Sequence, residues 1–406
     1  MMKYCRVCES PIEAFMTFGK MPVANAFIKK EHFGNEYFFD LNPASCSNCS
    51  TFQIVDVPEQ KKMFHDHYAY FASTSKTMTN HFKKLAHEIL KKHVKSNDPF
   101  IVEIGSNDGI SLQNYSELGI KHLGVDPSKN VVDVCRNKGI SVMCDFFTKR
   151  SAEEIIDQNG YADIIVSTNT MHHIPDIKEV VAGAKILLKK EGLMITEDPY
   201  LGDMISLNSF EQIYAEHNFI WSVSSMKYLF NLYDMEIIDV IPNKYHGGCL
   251  RYYIAHKGVY NPNNNVSSYL NKEINRGLTT KKVYEKFRQS CEKSKTKILE
   301  LISEIKDNGK SLVGYGATAK SSTLINYCGL TNKHIDYICD STPAKQGLYS
   351  PGAHIPIVSP KNFTKKYPDY SILFAWNHKK EILKKEIGYL KQGGKWIEYI
   401  PNIVIS

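Results

Sequence analysis

The sequence predicts an α/β protein in three parts: a small N-terminal zinc-binding domain, a central Rossmann-like domain, and a second, C-terminal Rossmann-like α/β domain. Three observations predict it. Two Cys-x-x-Cys turns, Cys5 to Cys8 and Cys46 to Cys49, stand at the start and end of the N-terminal stretch. Short apolar runs alternate with helical stretches, the sign of doubly wound parallel sheets, and they do so both before and after the linker-like stretch Tyr260–Asn265. A length of 406 residues with 43% apolar content supplies two or three cores. The boundaries read as 1–65, 66–260 and 261–406.

In the first part, each Cys-x-x-Cys turn points two thiolates at one place, and two turns complete the tetrahedral S4 shell of a structural Zn²⁺ site. Backbone N–H groups inside each turn orient the sulfurs. The alternative, two disulfides, needs an oxidising compartment, and no signal peptide is recognisable ahead of Cys5. With no open position, this zinc is expected to hold a fold and not to do chemistry. Cys135, Cys144, Cys249, Cys291, Cys328 and Cys339 are scattered singly and read as ordinary thiols.

The formal charge of +7 comes from dispersed lysines. Without a basic stripe interleaved with aromatics, nucleic acid is not the expected partner. No apolar run is long enough to span a bilayer, so the chain is expected to be cytoplasmic and not membrane-bound.

Along the chain, Met78, Phe82, Leu85, Ile89 and Leu90 give helical spacing across 76–95. Buried-strand runs follow at 100–104, 122–126, 162–167 and 192–197, with helices between. After the linker comes a long charged amphipathic helix over 269–308, interrupted near Gly277. The second α/β pattern has strand runs at 310–316, 334–340 and 370–376.

The first strand of the central domain ends in Glu103-Ile104-Gly105-Ser106-Asn107-Asp108-Gly109, an E-x-G-x-x-x-G turn. A dinucleotide binder carries G-x-G-x-x-G so that a pyrophosphate can sit on a helix N-terminus. S-adenosylmethionine (SAM) has no phosphate and needs a tight turn, backbone groups for its amino-acid end and an acid for its ribose. Glu103, Gly105, Asn107 and Gly109 form that turn, and Asp126 ends the next strand where a carboxylate can accept both ribose hydroxyls. Asp145 and Phe147 stand at the third strand position, where an acid and an aromatic can hold adenine. Asn169 opens Asn169-Thr170-Met171-His172-His173-Ile174-Pro175, at the carboxyl edge of the sheet beside the methyl group.

The second turn, Gly314-Tyr315-Gly316-Ala317-Thr318-Ala319-Lys320, has the G-x-G-x-x-A form and Asp340 beyond it, so NAD is one reading. The preferred reading is a turn that holds part of a phosphorylated substrate, with Lys320 facing phosphate. A final concentration of chemistry is Tyr214-Ala215-Glu216-His217, preceded by the acidic Glu197-Asp198-Pro199-Tyr200. Tyr, Glu and His so close together can supply a base, an orienting carboxylate and a proton relay.

Over essentially its whole length the chain resembles the sugar C-methyltransferase family, SAM enzymes that methylate C3 of nucleotide-linked 4-keto-deoxysugars. The resemblance rests on the four cysteines with Pro22-Val23-Ala24-Asn25-Ala26-Phe27, on the 103–109 turn, on His173-Ile174-Pro175, Glu197-Asp198-Pro199-Tyr200 and Tyr214-Ala215-Glu216-His217. It continues through His246-Gly247-Gly248, the 314–320 turn, Pro351-Gly352-Ala353-His354-Ile355-Pro356 and Phe374-Ala375-Trp376-Asn377-His378. It implies a sugar nucleotide held between the last two domains and a monomer. Tyr214 and His217 match the pair implicated in proton abstraction, Glu216 its companion carboxylate, and His173 a histidine near the sugar. A tyrosine after the zinc unit matches Tyr68, with Tyr70 open as the alternative, and Tyr70, Lys76 and Lys320 are the candidate substrate contacts. His172 departs from the family pattern and is given no role. The rival readings are an O- or N-methyltransferase on the same scaffold, a NAD-dependent sugar oxidoreductase, and a zinc-dependent nucleic-acid-binding protein.

Overall fold

A computed structural model describes residues 2–59, 63, 72–74 and 76–406. The central domain is a seven-stranded sheet of β1 (Phe100–Ile104), β2 (Lys121–Val125), β3 (Val142–Met143), β4 (Ala162–Thr168), β5 (Leu188–Pro199), β6 (Met235–Asn243) and β7 (Cys249–His256). Their order is β3-β2-β1-β4-β5-β7-β6, and β7 runs antiparallel to both neighbours. Parallel strands covered on both faces are apolar along their whole length, and every residue of β1 is buried. β1 and β4 are parallel neighbours at which the winding of the sheet reverses, β2 and β3 lying to one side and β5 to the other, and such a switch point leaves a crevice at the carboxyl ends of the strands.

The C-terminal domain repeats the principle with six strands: β8 (Leu312–Tyr315), β9 (Ile338–Cys339), β10 (Ile357–Val358), β11 (Tyr370–Leu373), β12 (Lys395–Glu398) and β13 (Val404–Ile405). Their order is β10-β9-β8-β11-β12-β13. The expected strand over 334–340 shrinks to Ile338–Cys339, because the His334 ring accepts the Thr331 N–H at 3.1 Å and makes its start a turn. The expected long helix is two, Asn264–Arg276 and Lys281–Asp307, separated where Gly277 takes a left-handed conformation.

In the zinc unit each knuckle sits between short strands: Lys3–Tyr4 with Pro11–Ile12, and Pro43–Ser45 with Phe52–Ile54. The strand Phe52–Ile54 pairs on its other edge with Phe219–Ile220 of the central domain. The zinc unit is thereby sewn to the segment that follows Tyr214–His217. One hydrophobic core runs from Phe18, Met21 and Phe52 through Phe210 and Ile213 to Leu324 and Ile338, so the three parts pack as one body around that segment. Among the described residues no helix is long and apolar enough to cross a membrane.

Candidate active site

A cavity of about 340 Å³ lies between the carboxyl edge of the central sheet and the glycine turn of the C-terminal sheet. Its first wall is the 103–109 turn. Gly105 has φ +73°, and a Cβ there would lie 2.3 Å from Thr170 Oγ1, so only glycine brings the turn this close to the strand β4 exit. Asp126 closes the turn: its Oδ2 accepts the Asn107 N–H and its Oδ1 the Ser128 N–H, both at 2.9 Å. Glu103 is buried in the same wall, and its Oε2 has no hydrogen-bond partner among the described residues. Burial pushes its carboxyl well above the ordinary range and raises Asp126 as well. An orphaned buried carboxylate oxygen beside a tight turn and a ribose-competent acid fits the cationic, phosphate-free cofactor SAM. Ser106, Asn107, Phe146, Phe147 and Asn169 complete this end of the cavity.

Two of the expected SAM residues do not line it. Asp145 turns outward, where Arg150 holds it at 3.0 Å and the Phe146 N–H binds it at 2.8 Å; the aromatic half of that pair, Phe147, does face inward. Gly109 serves the turn from behind: its φ is +78°, and a Cβ would meet Ile140 Cδ1 at 2.4 Å.

The opposite wall carries the polar constellation. Tyr214, Glu216 and His217 lie between the short helix Phe210–Gln212 and the strand Phe219–Ile220, and all three line the cavity with His173. The Tyr214 and His217 rings are 3.9 Å apart by centroids. Asn25, from the zinc unit, donates its amide to both oxygens of Glu216, at 2.8 and 3.0 Å. Burial lifts the Glu216 carboxyl to about 7. Burial also holds His173 and His217 well below the usual imidazole range, so both rings are neutral.

His172, given no role from the sequence, is brought into this wall. Its ring lies 4.1 Å from His173 and 4.4 Å from His217, and its Nδ1 is 2.6 Å from Asp198 Oδ1. Burial pushes Asp198 up to about 8 and His172 down to about 3. Asn25 and Lys345 were also missed as site residues. Asn25 stood inside the quoted Pro22–Phe27 stretch without a partner to give it meaning, and no local pattern marks Lys345.

From the C-terminal domain, Thr318, Ala319, Lys320, Lys345, Asn377 and His378 reach the cavity. Lys320 is half-buried, desolvation lowers its pKa, and its ammonium lies 5.2 Å from the centre of the Trp376 ring. Lys345 donates to the Ala317 carbonyl at 2.8 Å. The Asp340 carboxylate accepts the Ala317 N–H at 2.7 Å, as Asp126 accepts that of Asn107 in the other domain. Tyr68 and Tyr70 fall outside the described residues, as does the side chain of Lys76, which opens the helix Lys76–Lys92.

The four N-terminal cysteines are free thiols whose sulfurs all lie within 4.8 Å of one another. Cys5 and Cys49 are 3.5 Å apart and Cys8 and Cys46 3.4 Å, near the ~3.8 Å edge of a tetrahedron with ~2.3 Å Zn–S bonds. Gln53 donates to Cys5 Sγ at 3.1 Å, the kind of outer contact that steadies a ligating thiolate. The set fits a closed structural zinc.

Comparison with known proteins gives three family matches along the chain: a zinc binding domain over residues 5–64, a methyltransferase domain over 75–240 and a C-methyltransferase C-terminal domain over 244–401. C-methyltransferase NovU from Streptomyces niveus is 32% identical over 401 residues, 98% of this chain and 95% of that protein. A ubiquinone biosynthesis O-methyltransferase from Methylococcus capsulatus is 30% identical over 96 residues, 22% of this chain and 39% of that protein. Among solved structures, a SAM-dependent methyltransferase from Anabaena variabilis aligns with 43% of this chain and 84% of its own at 18% identity and a TM-score of 0.35.

Proposed function

We propose, from the premise that this chain belongs to the sugar C-methyltransferase family, that it methylates C3 of a nucleotide-linked 4-keto-deoxysugar. SAM-dependent C-methylation goes with the family; the sugar, the carbon and the residue roles are our reading. The observation that carries it is the meeting, in one cavity, of the SAM turn with Tyr214, Glu216, His217 and His173.

A methyl group bound to SAM is electrophilic, and the protein's task is to make a carbon nucleophilic beside it. The hydrogen next to a ketone is acidic once charge on the ketone oxygen is stabilised. Tyr214 and His217, with their rings in contact, form the base system that takes the C3 proton. The C–H pair becomes the enolate double bond and the carbonyl π pair moves to O4. Glu216, held by Asn25, and His173 orient the sugar around that carbon. SAM held at the 103–109 turn would supply the methyl group to that carbon and leave as the neutral thioether, with the ketone restored from the enolate. Lys320 and Lys345 supply positive charge on the C-terminal side, where the diphosphate is assigned. The domain boundaries near 65 and 260 separate zinc unit, SAM domain and sugar-nucleotide domain in this reading.

The test is product NMR after incubation with a 4-keto-deoxysugar nucleotide and ¹³C-methyl SAM. A labelled methyl coupled to a quaternary or tertiary C3 is expected. A methyl on oxygen or nitrogen overturns the carbon-acid reading in favour of an O- or N-methyltransferase.

A further inference from the structure

Residues 24–36 of the zinc unit form a strap fastened along its length to the C-terminal domain. The Ser322 hydroxyl donates to the Ala24 carbonyl at 2.8 Å. The Lys345 ammonium lies 4.8 Å from the centre of the Phe27 ring. Ile28 and Tyr349 exchange backbone hydrogen bonds at 3.1 and 2.8 Å. The strap ends in a clasp. Glu36, whose side chain is 7% exposed, accepts the Gly352 N–H on one oxygen at 2.7 Å and meets His354 Nε2 with the other. The His354 ring lies flat on Phe33, with centroids 3.6 Å apart and planes 6° from parallel. His354 itself has φ +53°, a left-handed conformation uncommon outside glycine, which persists where surrounding contacts hold it. The 351–356 stretch is the seat of this clasp.

One side chain of the strap faces the other way. Asn25 reaches the cavity and donates to both oxygens of Glu216. The regular structure of the strap is the short turn Lys30–His32 and the backbone bridge at Ile28, so its place is set by what it is fastened to. A side chain on such a segment is positioned only as well as its supports are held. We propose that Glu36 and His354 are positioning residues for the active site: clasped together, they fix the strap on the C-terminal domain and thereby hold Asn25 on the Glu216 carboxylate. Neither residue lines the cavity. Their hold on Glu216 rests on these contacts alone; that Glu216 orients a sugar rests on the reading above.

The test is hydrogen–deuterium exchange of the full-length, zinc-loaded protein, read by mass spectrometry without sugar or SAM. His354→Gly removes the ring and keeps the backbone conformation, which glycine adopts freely. It should speed exchange over 24–36 and 349–356, and also over 214–218, by about 3–10-fold, the weight of one ordinary hydrogen bond in a local opening equilibrium. Asn25→Leu should speed 214–218 as well and leave 349–356 at the native rate. The double variant should exchange over 214–218 no faster than the faster single variant, because both substitutions remove the same support. Glu36→Ala is expected to reproduce His354→Gly and carries the test if that variant does not fold. Acceleration confined to 24–36 and 349–356, or effects at 214–218 that multiply in the double variant, overturns the proposal. In the methylation assay His354→Gly should lower kcat with the sugar KM near native, and His354→Gln, which restores a donor toward Glu36, should recover part of the loss. A raised KM with native kcat counts against the positioning role. Because the exchange experiment contains no sugar, its failure is distinct from that of the methylation reading, which product analysis decides.

Discussion

The backbone N–H of Ile54, in the zinc unit, donates to the carbonyl of Asn218 at 3.0 Å, one residue beyond His217. Strand Phe52–Ile54 hangs from the second zinc knuckle and pairs with Phe219–Ile220, and Gln53 in that strand also reaches Cys5 Sγ. The zinc unit thereby braces the loop that carries Tyr214, Glu216 and His217.

Loss of that zinc should therefore reach the active site. Cys46→Ser is expected to lower the melting temperature of the N-terminal unit and to reduce turnover by at least about tenfold, because metal binding and folding are coupled in so small a module. SAM affinity, measured by calorimetry, should change much less. Unchanged turnover in zinc-free protein would detach the zinc unit from catalysis.

Asn25 is the second link between the zinc unit and the site. Asn25→Leu removes both hydrogen bonds to the buried Glu216 carboxylate, and turnover should fall about 10–100-fold, matching the 1–3 kcal/mol of an unpaired buried group. Zinc content and SAM affinity should hold. A fall in SAM affinity of the same size would mark Asn25 as a structural residue only.

Tyr214→Phe keeps the ring against His217 and removes the hydroxyl. Steady-state kinetics should show a loss of about 10²–10⁴ in kcat with a much smaller change in sugar affinity, as expected when proton transfer matters only in the transition state. In D₂O with an inert SAM analogue, the native enzyme should exchange the C3 proton and Tyr214→Phe should not. Exchange at the native rate in the variant would remove Tyr214 from the base system.

SAM affinity should rise with pH. In the free protein, burial keeps a proton on Glu103 to well above the ordinary carboxyl range. The positive charges of SAM favour the ionised form, so binding expels that proton. Below the raised pKa of the free protein, each step down in pH therefore costs affinity; above it the dependence levels off. Calorimetry in buffers of different ionisation enthalpy should detect proton release, and Glu103→Gln should abolish it. Proton uptake on binding would reverse the assignment.

Behind β5, Glu197 receives Arg251 at 2.5 Å, His81 at 2.6 Å and Asn243 at 3.0 Å. Against the burial that raises it, these partners hold the Glu197 carboxyl below its usual value. Arg251→Met strands that charge and should destabilise the protein by about 3–5 kcal/mol in urea melts. The double variant Arg251→Met/Glu197→Leu should recover much of the loss; no recovery would show that Arg251 acts through packing.

The sequence by itself determined what depends on short range. The Cys-x-x-Cys spacing, the apolar runs of β1, β2, β4 and β5, the glycine turn at 103–109 and the acid at Asp126 are each written within a few residues, because turn geometry and strand burial are local demands. The tertiary structure decided which side chains meet. Asp145 looked like a ligand and is instead turned out to Arg150; His172 looked like a bystander and is fixed by Asp198 beside two other histidines. Asn25 touches Glu216 across 191 positions of chain, and Ser322 donates to the Ala24 carbonyl across 298. Such contacts are set by how the packed parts orient their loops, and no spacing in the chain encodes that orientation.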